Sequence, residues 1–153
     1  MGSRRAAREL ALQALYQEDM LGDDAQSGRA LSLFWRHFEH ENAEVQRFAR
    51  ELVEGVREHL AEVDALVAAS SEHWKLPRLS KVDLNLLRLA TWEMIGRPEI
   101  PTPVTINEAV EIARRFGSEE SPAFVNGVLD QVAQQLAARR AASSEGPGGG
   151  GAE

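Results

Sequence analysis

Seven apolar residues in the middle of the chain, Val45, Phe48, Leu52, Val56, Leu60, Val63 and Val67, follow one another at gaps of three or four. That spacing brings them onto one side of an α-helix, and no β-strand, with its period of two, could bury them together. The pattern predicts one long amphipathic helix from about Ala43 to Ala69. A stripe of that length must be covered by other elements, so the rest of the chain has to supply them.

It supplies further helices. The first is expected from about Arg4 to Leu21, stopped at Gly22-Asp23-Asp24, and a second from Arg29 to Glu39 carries Leu31, Phe34, Trp35 and Phe38. Ser80-Lys81-Val82-Asp83 reads as a capping box opening a helix through Ile95. Gly96 to Pro103 holds three prolines and reads as a loop, after which Thr105-Ile106-Asn107-Glu108 reads as a second capping box and Gly117 as a C-terminal cap. Ser121-Pro122 sets an N-cap with proline at the first helical position, for a last helix reaching about Arg140. Phe124-Val125-Asn126-Gly127-Val128-Leu129 imitates a hairpin with an Asn-Gly turn, but Val125, Val128, Leu129, Val132 and Leu136 continue a helical stripe. In a helix, Gly127 is expected to serve close packing. The fold class is all-α, with six to seven helices. Residues 1–140 form one domain, and 141–153, with no sizeable apolar side chain to bury, form a disordered Gly-rich tail.

Composition excludes several chemistries. There is no cysteine among the 153 residues, hence no disulfide, thiolate metal site or Cys nucleophile. No apolar run approaches a membrane span, and MGSRRAAREL has no signal-peptide core, so a cytoplasmic location is expected. His37 and His40, with Glu41 and Glu44 nearby, imitate a metal cluster but read better as a solvated polar patch. There is no phosphate-cradling loop, no G-x-S-x-G elbow and no H-E-x-x-H. No cofactor and no catalytic residue is assigned, and the chain is not read as an enzyme.

A net charge of −7 argues against nucleic acid, but the charge is unevenly spread. Residues 1–8 contain Arg4, Arg5 and Arg8 and no acid, whereas residues 9–69 hold thirteen acids against five arginines. Screening limits such effects to about 10 Å at ordinary salt, so a basic tip on an acidic body can make a local RNA site. On a helix, Arg4, Arg5, Arg8, Leu12 and Tyr16 share one side, opposite a core stripe of Ala7, Leu10, Ala11, Ala14 and Leu21. Three arginines at the positive end of a helix dipole break a local rule, as functional sites often do. Solvated, snorkelling arginines are the competing reading, and Tyr16, able to stack on a base, tilts the balance toward RNA. Phe124, at the edge of the last helix's stripe, is either core or a second stacking ring. Ser118 and Ser121 read as helix caps.

With those residues in view, a resemblance emerges. RRAARELALQALYQ (Arg4–Gln17) resembles the opening signature of the NusB family. DLNLLRLATWE (Asp83–Glu93) resembles its central helix, and INEAVEIARRFG (Ile106–Gly117) followed by SPAFVNGVLD (Ser121–Asp130) is similar to its most distinctive block. The resemblance implies a fold of two packed helical subdomains, with the long third helix in the middle. It implies a transcription antitermination factor that binds the boxA element of nascent RNA together with NusE, a small-subunit ribosomal protein. Such a complex joins other Nus factors on RNA polymerase and keeps ribosomal RNA transcription processive. By position, Arg4, Arg5 and Arg8 would contact RNA, with Tyr16 beside them at the RNA and partner surface. Glu120 takes the acidic position near the RNA and Phe124 that of the stacking aromatic, while Asp83 and Arg88 lie on the helix facing NusE. Some relatives resemble monomers and others homodimers. Departures are Ala6, where many relatives carry a further basic residue, Glu120 in place of the more usual Asp, and the Gly-rich tail. Two rivals stand beside this reading. One is the RNA-binding domain of a ribosomal RNA cytosine methyltransferase system; the other is a helical protein–protein module without RNA.

Overall fold

The computed structural model describes residues 2–21, 32–37, 42–71 and 79–144, and every element among them is a helix. The order is α1 (Gly2–Leu21), α2 (residues 32–37), α3 (Ala43–Glu58), α4 (Leu60–Ser70), α5 (Lys81–Gly96), α6 (Thr102–Phe116) and α7 (Ser121–Ser144). Residues 1, 22–31, 38–41, 72–78 and 145–153, which include Leu31, Phe38, His40 and most of the expected tail, lie outside the described residues. No described helix is long and apolar enough to cross a membrane.

α5 organises the molecule. Leu84, Leu86, Leu87, Leu89, Ala90, Trp92 and Met94 are all buried, and with them Asn85, Thr91 and Glu93. A helix apolar on every side must be surrounded, and α5 packs against α1, α3, α4, α6 and α7. α1 lies on α3 to one side, and α6 and α7 pair on the other, so α5 is shared between an N-terminal and a C-terminal group of helices.

The expected long helix is two. The chain breaks at His59, whose backbone leaves helical geometry at φ −119°, ψ 24°. Its ring Nδ1 donates to the Gly55 carbonyl at 2.9 Å, and its own N–H bonds the same oxygen at 3.1 Å. Gly55 is the weak point of helix propensity there, and it cannot be larger, because a Cβ would overlap the Trp92 ring of α5. The break also explains Leu60, expected in the stripe but 39% exposed. Burial resumes in the new register at Val63, Leu66 and Val67.

Two further boundaries are corrected, the start of α6 and the end of α7. α6 begins at Thr102 with Pro101 as N-cap, so the proline-rich stretch ends inside the helix rather than before it. Thr105 is therefore not a cap, and its hydroxyl donates to Glu93 instead. Ser80 does cap α5, accepting from the Asp83 N–H at 3.1 Å. Gly117 caps α6, but at φ −95°, so it is small for space and not for backbone conformation. A Cβ there would meet the Ser121 hydroxyl at 2.5 Å, which accepts the Ser118 N–H at 2.9 Å. Gly127, expected to allow close packing, has open space around it; the close approaches are at Gly55 and Gly96, both against Trp92. α7 continues to Ser144, past the expected end at Arg140.

Candidate nucleic-acid interface

The three N-terminal arginines occupy three different environments. Arg8 is 4% exposed. Its Nε and Nη2 donate to the two carboxylate oxygens of Glu93 at 2.9 and 2.6 Å, and Glu93 itself is 1% exposed. Thr105 adds a hydroxyl donor to the same carboxylate at 3.0 Å. Arg5, half-exposed, donates through Nε and Nη2 to Glu108 at 2.8 and 2.7 Å. Arg4 is exposed and has no ion pair among the described residues; its guanidinium lies 5.2 Å from the centre of the Phe48 ring.

These bonds form a ladder from α5 through α1 to α6. A buried charge survives only beside an opposite one with its hydrogen bonds satisfied, and Arg8 and Glu93 meet that condition with paired parallel bonds. The expectation that Arg8 contacts RNA directly therefore needs correction. The side of α1 that carries Arg8 and Leu12 is covered, not open, because Leu12 is as buried as the opposite stripe at 3%. Arg8 anchors the N-terminal turn, and Arg4 and Arg5 are the cations that turn presents. The Arg5 hydrogen bond holds the Glu108 carboxyl below the usual carboxylate range against the opposing pull of burial. The same bond raises Arg5.

Further along α1, Tyr16 (39% exposed) and Met20 (58%) stand over an apolar cavity. Its volume is about 490 Å³, and Leu12, Phe34, Val82 and Phe116 complete its wall. α1, α2, α5 and α6 thus converge where the sequence placed only Tyr16. Leu21, expected in the core stripe, is 42% exposed at the end of the same helix. Asp83 follows Val82 in the first turn of α5, and its Oδ1 is buried with no hydrogen-bond partner among the described residues. Arg88 is not a free partner-facing cation. It donates to Asp64 at 2.8 and 3.0 Å and to Asn85 at 3.1 Å, with Asp19 at 3.5 Å, tying α1, α4 and α5 together. Glu120 is exposed in the α6–α7 turn and accepts from the Ser118 hydroxyl at 3.3 Å. Phe124 is half-buried, packed against the edge of the core. The sequence reading gave no site role to Glu93, Thr105, Glu108, Phe48 or Phe116. Glu93 had a signal, a lone acid inside the apolar run LRLATWEMI, which demands a buried cation.

Among the described residues no group of His, Asp and Glu could hold a metal ion. Residues 5–134 match the profile of the NusB family.

The chain belongs to the NusB family.

Transcription antitermination protein NusB of Myxococcus xanthus is 50% identical over 139 residues, covering 89% of this chain and 98% of its own. The Geobacter sulfurreducens NusB is 46% identical over 136 residues, with 89% and 97% covered. Among solved structures, T. maritima NusB superposes with a TM-score of 0.76 at 39% identity, covering 86% of this chain and 90% of that one. A crystal structure of antitermination factors NusB and NusE in complex with double-stranded RNA contains a chain at TM-score 0.76 and 26% identity, with 88% and 98% covered. Both curated relatives are named as transcription antitermination proteins. They are matched along nearly their whole length.

Proposed function

We propose that this antitermination factor binds boxA-type single-stranded RNA together with NusE, and so supports processive ribosomal RNA transcription in the cytoplasm. Other Nus factors and RNA polymerase are engaged indirectly, through that complex. The observation that carries this reading is the N-terminal turn of α1. Arg4 and Arg5 project from a helix whose next turn is locked to α5 and α6 by Arg8, Glu93 and Thr105. A phosphate-binding turn gains from being held in place before RNA arrives, because less ordering then opposes association.

The solved complex of NusB and NusE with double-stranded RNA supports this reading, since a protein of this fold is held there with a protein and an RNA together. In this chain the cavity beside Tyr16 offers an apolar seat open to the surface, of the kind that a protein partner's anchor fills. Phe124 supplies a ring for one base and Glu120 an acceptor beside it. One stacked base contributes about 1–3 kcal/mol, and association costs at least ~4 kcal/mol. So small a set of contacts gives weak binding alone, and NusE is expected to raise it. The test is a titration of boxA-type and scrambled RNA with and without NusE. Tighter binding of boxA-type RNA that NusE strengthens supports the proposal, whereas equal affinity for both RNAs, unchanged by NusE, overturns it.

A further inference from the structure

Phe48 of α3 is surrounded by cations. Besides Arg4 at 5.2 Å, the guanidinium of Arg97 lies 5.1 Å and that of Arg8 5.6 Å from its ring centre. Arg8 is committed to Glu93, and Arg97 to Glu51 and Glu99. Arg4 is not so committed, and neither is its neighbour Arg47. The two line one surface cavity of about 270 Å³ together with Ser3, Glu44, Phe48, Glu51 and Arg97. Of the two carboxylates there, Glu51 is already neutralised by Arg97, and Glu44 forms an ion pair with neither arginine.

Arg50 extends the patch. It follows Arg47 at i+3, so both point from the same side of α3, and both are exposed. Its guanidinium lies over the Trp35 ring of α2, 4.8 Å from the ring centre. Two like charges one turn apart repel. Neither Arg47 nor Arg50 has a carboxylate ion pair among the described residues, although thirteen acids lie between residues 9 and 69. Arg4, Arg47 and Arg50 thus run from the N-terminal turn of α1 across α3, two of them laid on aromatic rings. Guanidinium groups with free donors on such supports suit a string of phosphates.

We infer that α3 carries a second phosphate track, on which RNA flanking the boxA-type element continues from Arg4 to Arg47 and Arg50. The inference rests on the RNA reading above and adds to it a sequence-independent contact outside the recognised element. It accounts for how an acidic protein can hold RNA longer than its recognition turn spans.

The experiment compares a short RNA holding only the boxA-type element with a longer one extended on both sides, each titrated into the NusE complex over a range of salt. The parent should bind the longer RNA more tightly and with a steeper log–log salt slope. Arg47→Ala/Arg50→Ala should flatten the slope for the longer RNA by about 1.4, for two single-strand phosphates, and weaken it roughly tenfold at 0.1 M salt. Binding of the short RNA should not change. Arg47→Ala alone, at a side chain with no ion pair to lose, should give about half the slope change. This guards against a packing effect from releasing Trp35. If the short RNA binds the parent but neither the flanks nor the substitutions matter, this inference falls and the RNA reading stands. If neither RNA binds the parent, both fall. A double variant that loses NusE while keeping RNA makes α3 a protein surface and overturns the track.

Discussion

Arg4 and Arg8 lie one helical turn apart and do different work, which a substitution series can separate. Removing one partner of a buried, hydrogen-bonded pair leaves the other charge unsatisfied, at a cost of about 3–5 kcal/mol. Arg8→Ala and Glu93→Ala should each lose that much in urea unfolding. Arg4→Ala/Arg5→Ala should lose less than ~1 kcal/mol, since one side chain is unpaired and the other sits in a half-exposed pair. Any loss of RNA binding on Arg8→Ala is then partly a loss of fold, so a triple alanine variant would not test the RNA site. Glu108 adds a pH dependence. Its folded-state pKa is depressed by Arg5, so its contribution is complete above the ordinary carboxylate range and fades as pH falls through the lower folded value. Unfolding followed from pH 6 to pH 3 should show this stability lost on acidification in the parent and a smaller loss in Glu108→Gln. The sequence showed the arginines and the lone acid Glu93 but not their pairing. Helical periodicity put Arg8 on an open face because it could not show that α5 and α6 close that side of α1.

At the level of the elements, the sequence was read correctly where a local stripe or cap fixed a helix. Six helices were legible from their stripes and caps, including Ser80 and Gly117. Misreadings fall where a neighbour intervenes. The break at His59 follows from Gly55, and Gly55 follows from Trp92 on a different helix, a constraint no local pattern carries. Gly127 misled in the opposite direction, since glycine between apolar residues suggests close approach while this one faces open space. The two glycines should therefore respond differently. Gly55→Ala forces Trp92 to move and should destabilise by about 1–3 kcal/mol. Gly127→Ala relieves a helix-interior glycine and should stabilise by up to about 1 kcal/mol. Thermal melts of the two variants decide this, and equal shifts would show that Trp92 does not set the α3–α5 spacing.

For the whole molecule, all-α class and family were legible from the motifs, whereas the shared cavity of Tyr16, Phe34, Val82 and Phe116 needed four helices brought together. That convergence makes two separable surfaces. Asp83→Arg should weaken NusE binding and leave the weak RNA binding of the isolated protein nearly intact. Phe124→Ala should do the reverse, with its melting temperature reporting how much of the half-buried ring belongs to the core. Calorimetry that finds RNA and NusE lost in equal proportion in both variants would merge the two surfaces into one. Linkage requires RNA to raise NusE affinity by the factor that NusE raises RNA affinity. The central claim is that the anchored turn of α1 grips RNA through Arg4 and Arg5, and the salt dependence of boxA-type RNA binding in the NusE complex tests it most directly. Arg4→Ala/Arg5→Ala should flatten the log–log slope by about 1.4, with two phosphates no longer neutralised, while the unfolding midpoint stays close to that of the parent. An unchanged slope and unchanged affinity in a folded double variant would contradict the account.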